Sequence, residues 1–433
     1  ENVSENRFLN MALSHFDCIV VGAGIQGSFT AYHLAKSNKQ VLLLEQFVLP
    51  HSRGSSHGQT RIIRKAYEQG FYTRMMEESY QLWEQLEKEA NVQLYRRTGL
   101  LVMGQEEGPD FQMYKNTLLQ NGVPTEILDP VQFAQRFPSV KRISGDRALI
   151  DKTAGVLFAD RALRAVQAVF QRLGGVIRDG EKVLDIRPGS LVTVTTGRGA
   201  YSAKSLVITA GPWTNAMLSL TGLQLPLQVM RINVCYWREK VPGTYGISSQ
   251  FPCFIGVKSH GAKHDIYGLP SNEYPGLMKI CYHSGSKTDA DQRDIQTSRE
   301  DIDILSRYVS RCFPGLVSTP AIVESCLYTE ALLYDSGRWN TGLGGLWWFE
   351  VGSDNTRVSG SDPDQVTPDS HFVLDRHPSH CNIVIGAGFS GHGFKFGPVV
   401  GKTLCELSLN KTPSYDLSPF QIQRFQPHLK SSL

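Results

Sequence analysis

Residues 18–27 read Cys-Ile-Val-Val-Gly-Ala-Gly-Ile-Gln-Gly, a short apolar run that ends in Gly22, Gly24 and Gly27. Nothing else in the chain restricts its fold as much. A short apolar run stopped by glycine predicts a buried strand, here residues 18–21. Residues 28–36 predict a helix, and a second apolar run, 41–44, ends in Glu45. Strand, glycine turn, helix, strand and terminal acid in this order form a unit for binding a dinucleotide. Gly22 makes the tight turn, Gly24 lets the backbone approach a pyrophosphate, and Gly27 lets the helix lie close to the sheet. The helix N-terminus offers unpaired N–H groups and its positive dipole end to the phosphates. Glu45 follows at the spacing of about 20 residues that suits a ribose hydroxyl.

The 433 residues allow two or three domains with sizeable cores. A formal charge of +3 is too small to argue for a nucleic-acid partner. No run approaches the length of about 18 apolar residues needed to span a membrane, so no membrane partner is expected. The N-terminal residues lack a basic region followed by an apolar run, so no secretory signal is expected. The eight cysteines are scattered without a Cys-x-x-Cys pair, which predicts free thiols and no metal site. Met11 stands just before the first strand and reads as a natural start, with residues 1–10 as an upstream extension.

Residues 49–61 are polar and glycine-rich, too long for a tight turn, and read as a functional loop. A helix is expected over 72–90, with Met76, Tyr80, Trp83 and Leu86 on one face, and a strand over 98–103. Residues 105–150 carry little periodic signal. Leu163, Val166, Phe170 and Leu173 mark an amphipathic helix stopped by Gly174-Gly175. Strands are expected at 182–186, 191–196 and 205–209, the last running into Ala210-Gly211-Pro212-Trp213. Short β-type segments fill 226–285. A final strand, 382–387, enters a second glycine loop with Gly388, Ser390 and Gly391, and a helix follows. A second loop of this kind facing the first favours FAD over a nicotinamide cofactor. The fold class is therefore α/β: a discontinuous, Rossmann-like FAD-binding domain from 11–98, 150–225 and 366–425, and an antiparallel-sheet α+β substrate domain from 99–149 and 226–329.

Three motifs, Arg-Gly-Ser-Ser-His-Gly-Gln-Thr-Arg-Ile-Ile-Arg (53–64), Cys-Leu-Tyr-Thr (326–329) and Gly-Phe-Ser-Gly-His-Gly-Phe-Lys (388–395), resemble the monomeric sarcosine oxidase family of FAD-dependent amine oxidases. The resemblance runs from about residue 16 to 425. It implies that Cys326 carries FAD as a thioether at the 8α-methyl; without it, Cys326 reads as a buried core cysteine. It implies that Arg64 and Lys395 clamp a substrate carboxylate; otherwise they read as solvated surface charges. Lys279 matches a lysine placed where oxygen reacts, and His283 and Tyr328 match pocket residues that would otherwise be packing residues on strands. His57 and Arg61 match a pair beside the flavin ring. Bacterial relatives have two histidines in this loop, whereas this chain has Ser56-His57. The full FAD-binding set expected is Gly22, Gly24, Gly27, Glu45, Ser55, Arg61, Val183, Gly211, Cys326, Gly388, Ser390, Gly391 and Lys395.

The activity implied is oxidation of small secondary amino acids (L-pipecolate, sarcosine, L-proline) to imines, with O2 reduced to H2O2, by a monomeric enzyme. Two alternatives stand beside it: a flavin dehydrogenase that passes electrons to a carrier, and a flavoprotein disabled by a foreign segment. That segment is 330–365, since removing it restores the family pattern Thr329-Val366-Thr367-Pro368-Asp369. It carries Trp339, Trp347 and Trp348 and has no sustained period, so it is expected to be irregular, as a retained intron or a lineage-specific insertion. The chain ends Ser431-Ser432-Leu433, which resembles a peroxisomal address read by an import receptor but lacks the basic middle residue. A peroxisomal location is expected, or a cytosolic one if that tripeptide is not read.

Overall fold

The computed structural model of the protein describes residues 14–295, 298–333 and 367–425, with two short strands, Asn340–Thr341 and Trp347–Trp348, that pair antiparallel. The expected extension 1–10, most of 330–365 and the C-terminal tripeptide lie outside the described residues.

The first glycine motif sits at the centre of an eight-stranded sheet. Strand Ser14–Val21 is fully buried over its last four residues and pairs in parallel with Val41–Leu44 on one side and Gly199–Ile208 on the other. Gly199–Ile208 changes partner along its length on its outer edge. Its first half pairs antiparallel with Val192–Thr196, and Leu206 to Ile208 pair in parallel with His380–Ala387. That switch brings the C-terminal strand, and the glycine loop after it, to the same sheet edge as the first loop. Helices Ile25–Lys36, Ala159–Arg172 and Gly397–Ser408 share one core over this sheet. Helix Gly70–Ala90 joins them and buries Met76, Trp83 and Leu86 from one face, as the sequence predicts. A Cβ on Gly401 would stand 2.5 Å from Cβ of Phe29, so only glycine lets the last helix lie this close to the first.

The second sheet has ten strands. Within it Leu227–Glu239 is flanked by Leu316–Leu333 and Leu277–Tyr282, both antiparallel to it. One pair, Cys253–Gly256 with Leu100–Gln105, is parallel, so the sheet is not wholly antiparallel. Helix Glu300–Cys312 carries three acids in its first turn and Arg311 in its last, matching its dipole. It buries Ile302, Leu305, Tyr308 and Val309 against Trp237, Phe254 and Phe313. The opposite face of the sheet carries Tyr236 across from Lys279, Ile232 across from Cys326 and Met230 across from Tyr328. A third sheet of three strands holds Thr60–Ile63 beside Gly155–Phe158, so the last two residues of the expected loop 49–61 are strand.

Several boundaries differ from the sequence reading. Residues 105–150 contain two helices, Pro109–Gln120 and Pro130–Arg136, and two strands, Thr125–Leu128 and Asp146–Asp151. The second helix starts on a capping box at Asp129 and Gln132, a signal present in the sequence but short. The segment expected to be irregular from 330 begins as strand. Ala331 and Glu330 continue the ladder opposite Leu227 and Gln228, and Leu332 and Leu333 pair with Pro368 and Thr367. The ladder persists because Leu332 still finds an acceptor, the carbonyl of Pro226, at 2.8 Å. Thr367–Pro368 thus belongs to the second sheet, although 366–425 as a block reads as FAD domain.

Candidate active site

The sheets leave a cavity of about 670 Å³ between the two glycine loops. Gly22, Gly24, Glu45, Ser55, Arg61, Val183, Gly211, Cys326, Gly388, Ser390 and Gly391 all line it. Gly27 stands just behind the wall and Lys395 lines a second, adjoining cavity. Gly22 has φ +99°, and a Cβ there would lie 2.5 Å from the carbonyl oxygen of Thr209. A Cβ on Gly27 would lie 1.9 Å from the Gly22 carbonyl oxygen, so the turn and the helix are locked together. Glu45 does more than face a ribose: its Oε2 accepts the Ala23 N–H at 2.9 Å and its Oε1 the Phe47 N–H at 3.1 Å. It ties the glycine turn to the end of the second strand. Ser56 Oγ accepts the Ile25 N–H at 3.0 Å, a helix-capping role across the loop that serine identity alone did not reveal.

Three buried polar atoms of this lining have no hydrogen-bond partner among the described residues: Oε1 of Gln26, Oγ1 of Thr329 and Oε2 of Glu181, the last with only a long 3.9 Å ion pair to Arg198. Buried polar groups are normally satisfied, so a ligand that carries donors and acceptors is required here. Two glycine loops, a helix N-terminus, Glu45 and these three atoms fit FAD. The second loop is pinned in place, since the Ser390 N–H donates to the Thr329 carbonyl at 3.0 Å on the strand that carries Cys326.

Cys326 lines both cavities and is the one thiol that lines either. Its Sγ lies 3.9 Å from the Ser55 carbonyl oxygen. The Arg61 guanidinium donates to the same carbonyl at 2.9 Å, to that of His57 at 2.6 Å and to that of Thr60 at 2.8 Å. Arg293, which the sequence did not mark, donates to the Ser325 carbonyl at 2.6 Å. His57 sets its two ring nitrogens 2.6 Å from the Gly54 carbonyl and 3.1 Å from that of Ser325. Burial and then Arg61 push it down to about 4, so the neutral ring donates to one carbonyl only.

The second cavity, about 80 Å³, shares His57, Arg61, Cys326 and Tyr328 with the first and adds Arg64, Lys279, His283 and Lys395. Arg64 and Lys395 are 9% and 6% exposed, so neither is a solvated surface charge. Arg64 donates to the Ala66 carbonyl and stacks 4.3 Å over the Tyr67 ring. Lys395 Nζ donates to the His392 carbonyl at 3.0 Å. Among the described residues, neither cation forms an ion pair with a carboxylate. Burial, then Arg64 and Arg61, hold the Lys395 ammonium well below the usual lysine range. Burial and then Arg64 push His283 down to about 4. Two more buried atoms beside this pair, the Tyr67 hydroxyl and Nε2 of His392, lack hydrogen-bond partners among the described residues. The Tyr328 hydroxyl lies 3.0 Å from that of Tyr267, and its ring centroid lies 5.4 Å from that of His283. Lys279 does have a counter-ion: Nζ is 3.3 Å from Oε1 of Glu273 and 3.4 Å from the Thr60 carbonyl. Glu273 was invisible in the sequence, because an acid in Ser-Asn-Glu-Tyr-Pro-Gly reads as a solvated turn.

A dinucleotide fold closed by a second glycine loop, with a pocket of buried cations at the seam, defines an FAD-dependent oxidoreductase. The family so described, FAD dependent oxidoreductase, matches residues 17–342. Within it the chain belongs to the sarcosine oxidase family of FAD-dependent amine oxidases. It is 53% identical to the mouse peroxisomal sarcosine oxidase over 421 residues, covering 96% of this chain and 98% of that one. It is 33% identical to a monomeric sarcosine oxidase from Bacillus sp. (strain B-0618), covering 97% and 98%. Among solved structures, NikD, an unusual amino acid oxidase, superposes with a TM-score of 0.75 at 22% identity, covering 94% of this chain and 97% of that one. Glycine oxidase from Geobacillus kaustophilus gives 0.72 at 17% identity, covering 96% and 100%. At these identities the two structures speak for the fold.

Proposed function

We propose that the protein oxidises small secondary amino acids, sarcosine, L-pipecolate and L-proline among them, at the C–N bond, with O2 as electron acceptor and H2O2 as product. The observation that carries this is the pair Arg64 and Lys395, two buried cations that among the described residues have no carboxylate within ion-pair distance, at the junction with the FAD cavity. An amino-acid carboxylate supplies the missing anion, at ~1.5–3 kcal/mol per charged hydrogen bond. Bound FAD supplies the two-electron acceptor and the reaction with O2. Arg64 and Lys395 fix the substrate's carboxylate, whose charge favours the protonated form of Lys395. His283, neutral at physiological pH, and the linked Tyr328 and Tyr267 hydroxyls wall the amine end without adding charge. The Lys279 ammonium favours a negative charge that forms beside it, as superoxide does. Cys326, at the seam of both cavities, is the nucleophile suited to a thioether with the flavin. A peroxisomal setting, with import through the C-terminus, accords with the names of the mouse and human relatives and with the containment of H2O2. A monomer accords with the names of the bacterial relatives.

The test is steady-state turnover with H2O2 detection on L-pipecolate, sarcosine, L-proline and piperidine. Piperidine is pipecolate without its carboxylate, so it should be turned over far more slowly than L-pipecolate. Equal turnover of the two would remove the carboxylate clamp and the amino-acid assignment with it.

A further inference from the structure

Lys279 does not stand alone at its site; a line of ionisable side chains runs from it toward the surface. Glu273 Oε1 lies 3.3 Å from Lys279 Nζ and also accepts the Thr60 hydroxyl. The other oxygen, Oε2, accepts the Tyr236 hydroxyl. That same hydroxyl lies 3.5 Å from Oε2 of Glu324, and Oε1 of Glu324 accepts the Tyr274 hydroxyl at 2.5 Å. The line starts at two buried groups, since the Lys279 and Glu273 side chains are 8% and 5% exposed. It ends at Glu324 and Tyr274, both partly exposed. Glu324 forms no ion pair among the described residues, and its neighbour in the line is a phenol. Burial, then Glu273, then Glu324 hold the Tyr236 phenol far above its ordinary range. It keeps one hydrogen that either carboxylate can accept. The register makes this arrangement: Tyr236 lies across from Lys279 on adjacent strands, and an irregularity between Leu269 and Tyr274 swings Glu273 toward both.

The proton balance of the proposed reaction calls for such a line. The amine gives up two electrons and one proton as a hydride equivalent, and separately one N–H proton. Reduction of O2 to H2O2 takes two electrons and two protons. One proton travels with the electrons; the second has to come from elsewhere on the oxygen side. We propose that Tyr274, Glu324, Tyr236 and Glu273 form a path that delivers this second proton from solvent to Lys279, which donates it to the reduced oxygen. Lys279 loses a proton from Nζ and regains one from Glu273. Glu273 takes one from Tyr236, Tyr236 takes one from Glu324, Glu324 takes one from Tyr274 and Tyr274 takes one from solvent, so every carrier returns to its starting state. This inference rests on the oxidase reading of the site, and it makes Glu273 and Tyr236 residues of the oxygen half of the reaction.

The test uses the full-length flavoprotein. Wild type must first give H2O2 from L-pipecolate or sarcosine; if it does not, the oxidase reading fails and the path with it. With that established, Tyr236→Phe should slow reoxidation of the reduced enzyme by O2 by about tenfold more than it slows anaerobic reduction by substrate. Reoxidation of this variant should also slow in D2O by at least about twofold more than wild type, and small weak acids such as formic acid should restore its rate. Glu324→Gln, at the partly exposed end, should act in the same direction. A readout independent of turnover is the acylation of Lys279 by acetic anhydride, followed by mass spectrometry across pH. The groups that bear on Lys279 there are Glu273, Tyr236 and Cys281, with Arg61 acting on Glu273. Glu273→Gln should speed this acylation several-fold, whereas Tyr236→Phe should leave it unchanged. If Tyr236→Phe and Glu324→Gln both reoxidise at the wild-type rate with no added D2O effect, the path does not exist. If Glu273→Gln leaves Lys279 acylation unchanged, Glu273 is not its partner and the path fails at its first link.

Discussion

Lys395→Met should weaken substrate binding and at the same time stabilise the protein. Met keeps most of the aliphatic stem and removes the ammonium. Lys395 is 6% exposed, its Nζ donates among the described residues only to the His392 carbonyl at 3.0 Å, and Arg64 and Arg61 repel it. A lysine in an unfolded chain has a pKa of ~10.4. Burial holds the folded value well below that, so between the two values the unfolded chain binds the extra proton. Stability therefore rises with pH across that window, and at neutral pH the folded wild type bears the cost of the buried amine. Removing it should raise unfolding stability by about 1 kcal/mol or more, the sign expected when an uncompensated buried charge is replaced by an apolar group. Loss of one charged hydrogen bond, ~1.5–3 kcal/mol, should weaken carboxylate binding by roughly 10- to 150-fold. The assay pairs calorimetric binding of acetate with thermal midpoints at pH 7 and pH 9, at equal flavin content. Unweakened acetate binding, or a variant less stable than wild type at pH 7, would refute the reasoning.

Cys326→Ser should still bind flavin but lose it to the supernatant on acid precipitation; a yellow pellet would show that the link lies elsewhere. Gly22→Ala puts a Cβ 2.5 Å from the Thr209 carbonyl oxygen at φ +99°, and should cost about 1–3 kcal/mol and most of the flavin. Wild-type visible absorbance per chain in that variant would contradict the tight-turn argument. Leu333 and Thr367 are antiparallel partners, so replacing residues 334–366 by Asn-Gly closes a two-residue hairpin between them. That shortened chain should be soluble, flavinated and active on amino acids, and loss of flavin content would make the segment an essential part of the fold.

The residues legible in the sequence are those whose role is local. Gly22 and Gly27 serve a turn and a close approach within a few residues of each other, so their spacing carries the message. The strands on either side announce themselves because parallel strands buried on both faces are continuous apolar runs. The family motifs that contain Cys326, Arg64 and Lys395 likewise survive as short strings. Residues 105–150 were opaque because their helices and strands are short, and their apolar faces make sense only against the second sheet. Glu330 to Leu333 read as the start of a foreign segment, since a strand's end is set by the partner that lies alongside it.

The chain's sequence by itself pointed to a βαβ unit for a dinucleotide and to a second glycine loop that favours FAD, and its resemblance to a family pointed to the cysteine and the cations that line the two cavities. Only the tertiary structure decided the charge state of that site. Among the described residues Arg64 and Lys395 have no carboxylate within ion-pair distance, although Asp265 lines the same cavity and acts on Arg64 from farther away, while Lys279 receives one because a strand irregularity turns Glu273 inward. Whether a charge is paired depends on which groups lie within about 4 Å in a medium of low dielectric. That distance is set by strand register and packing, which sequence spacing along a chain of 433 residues does not specify.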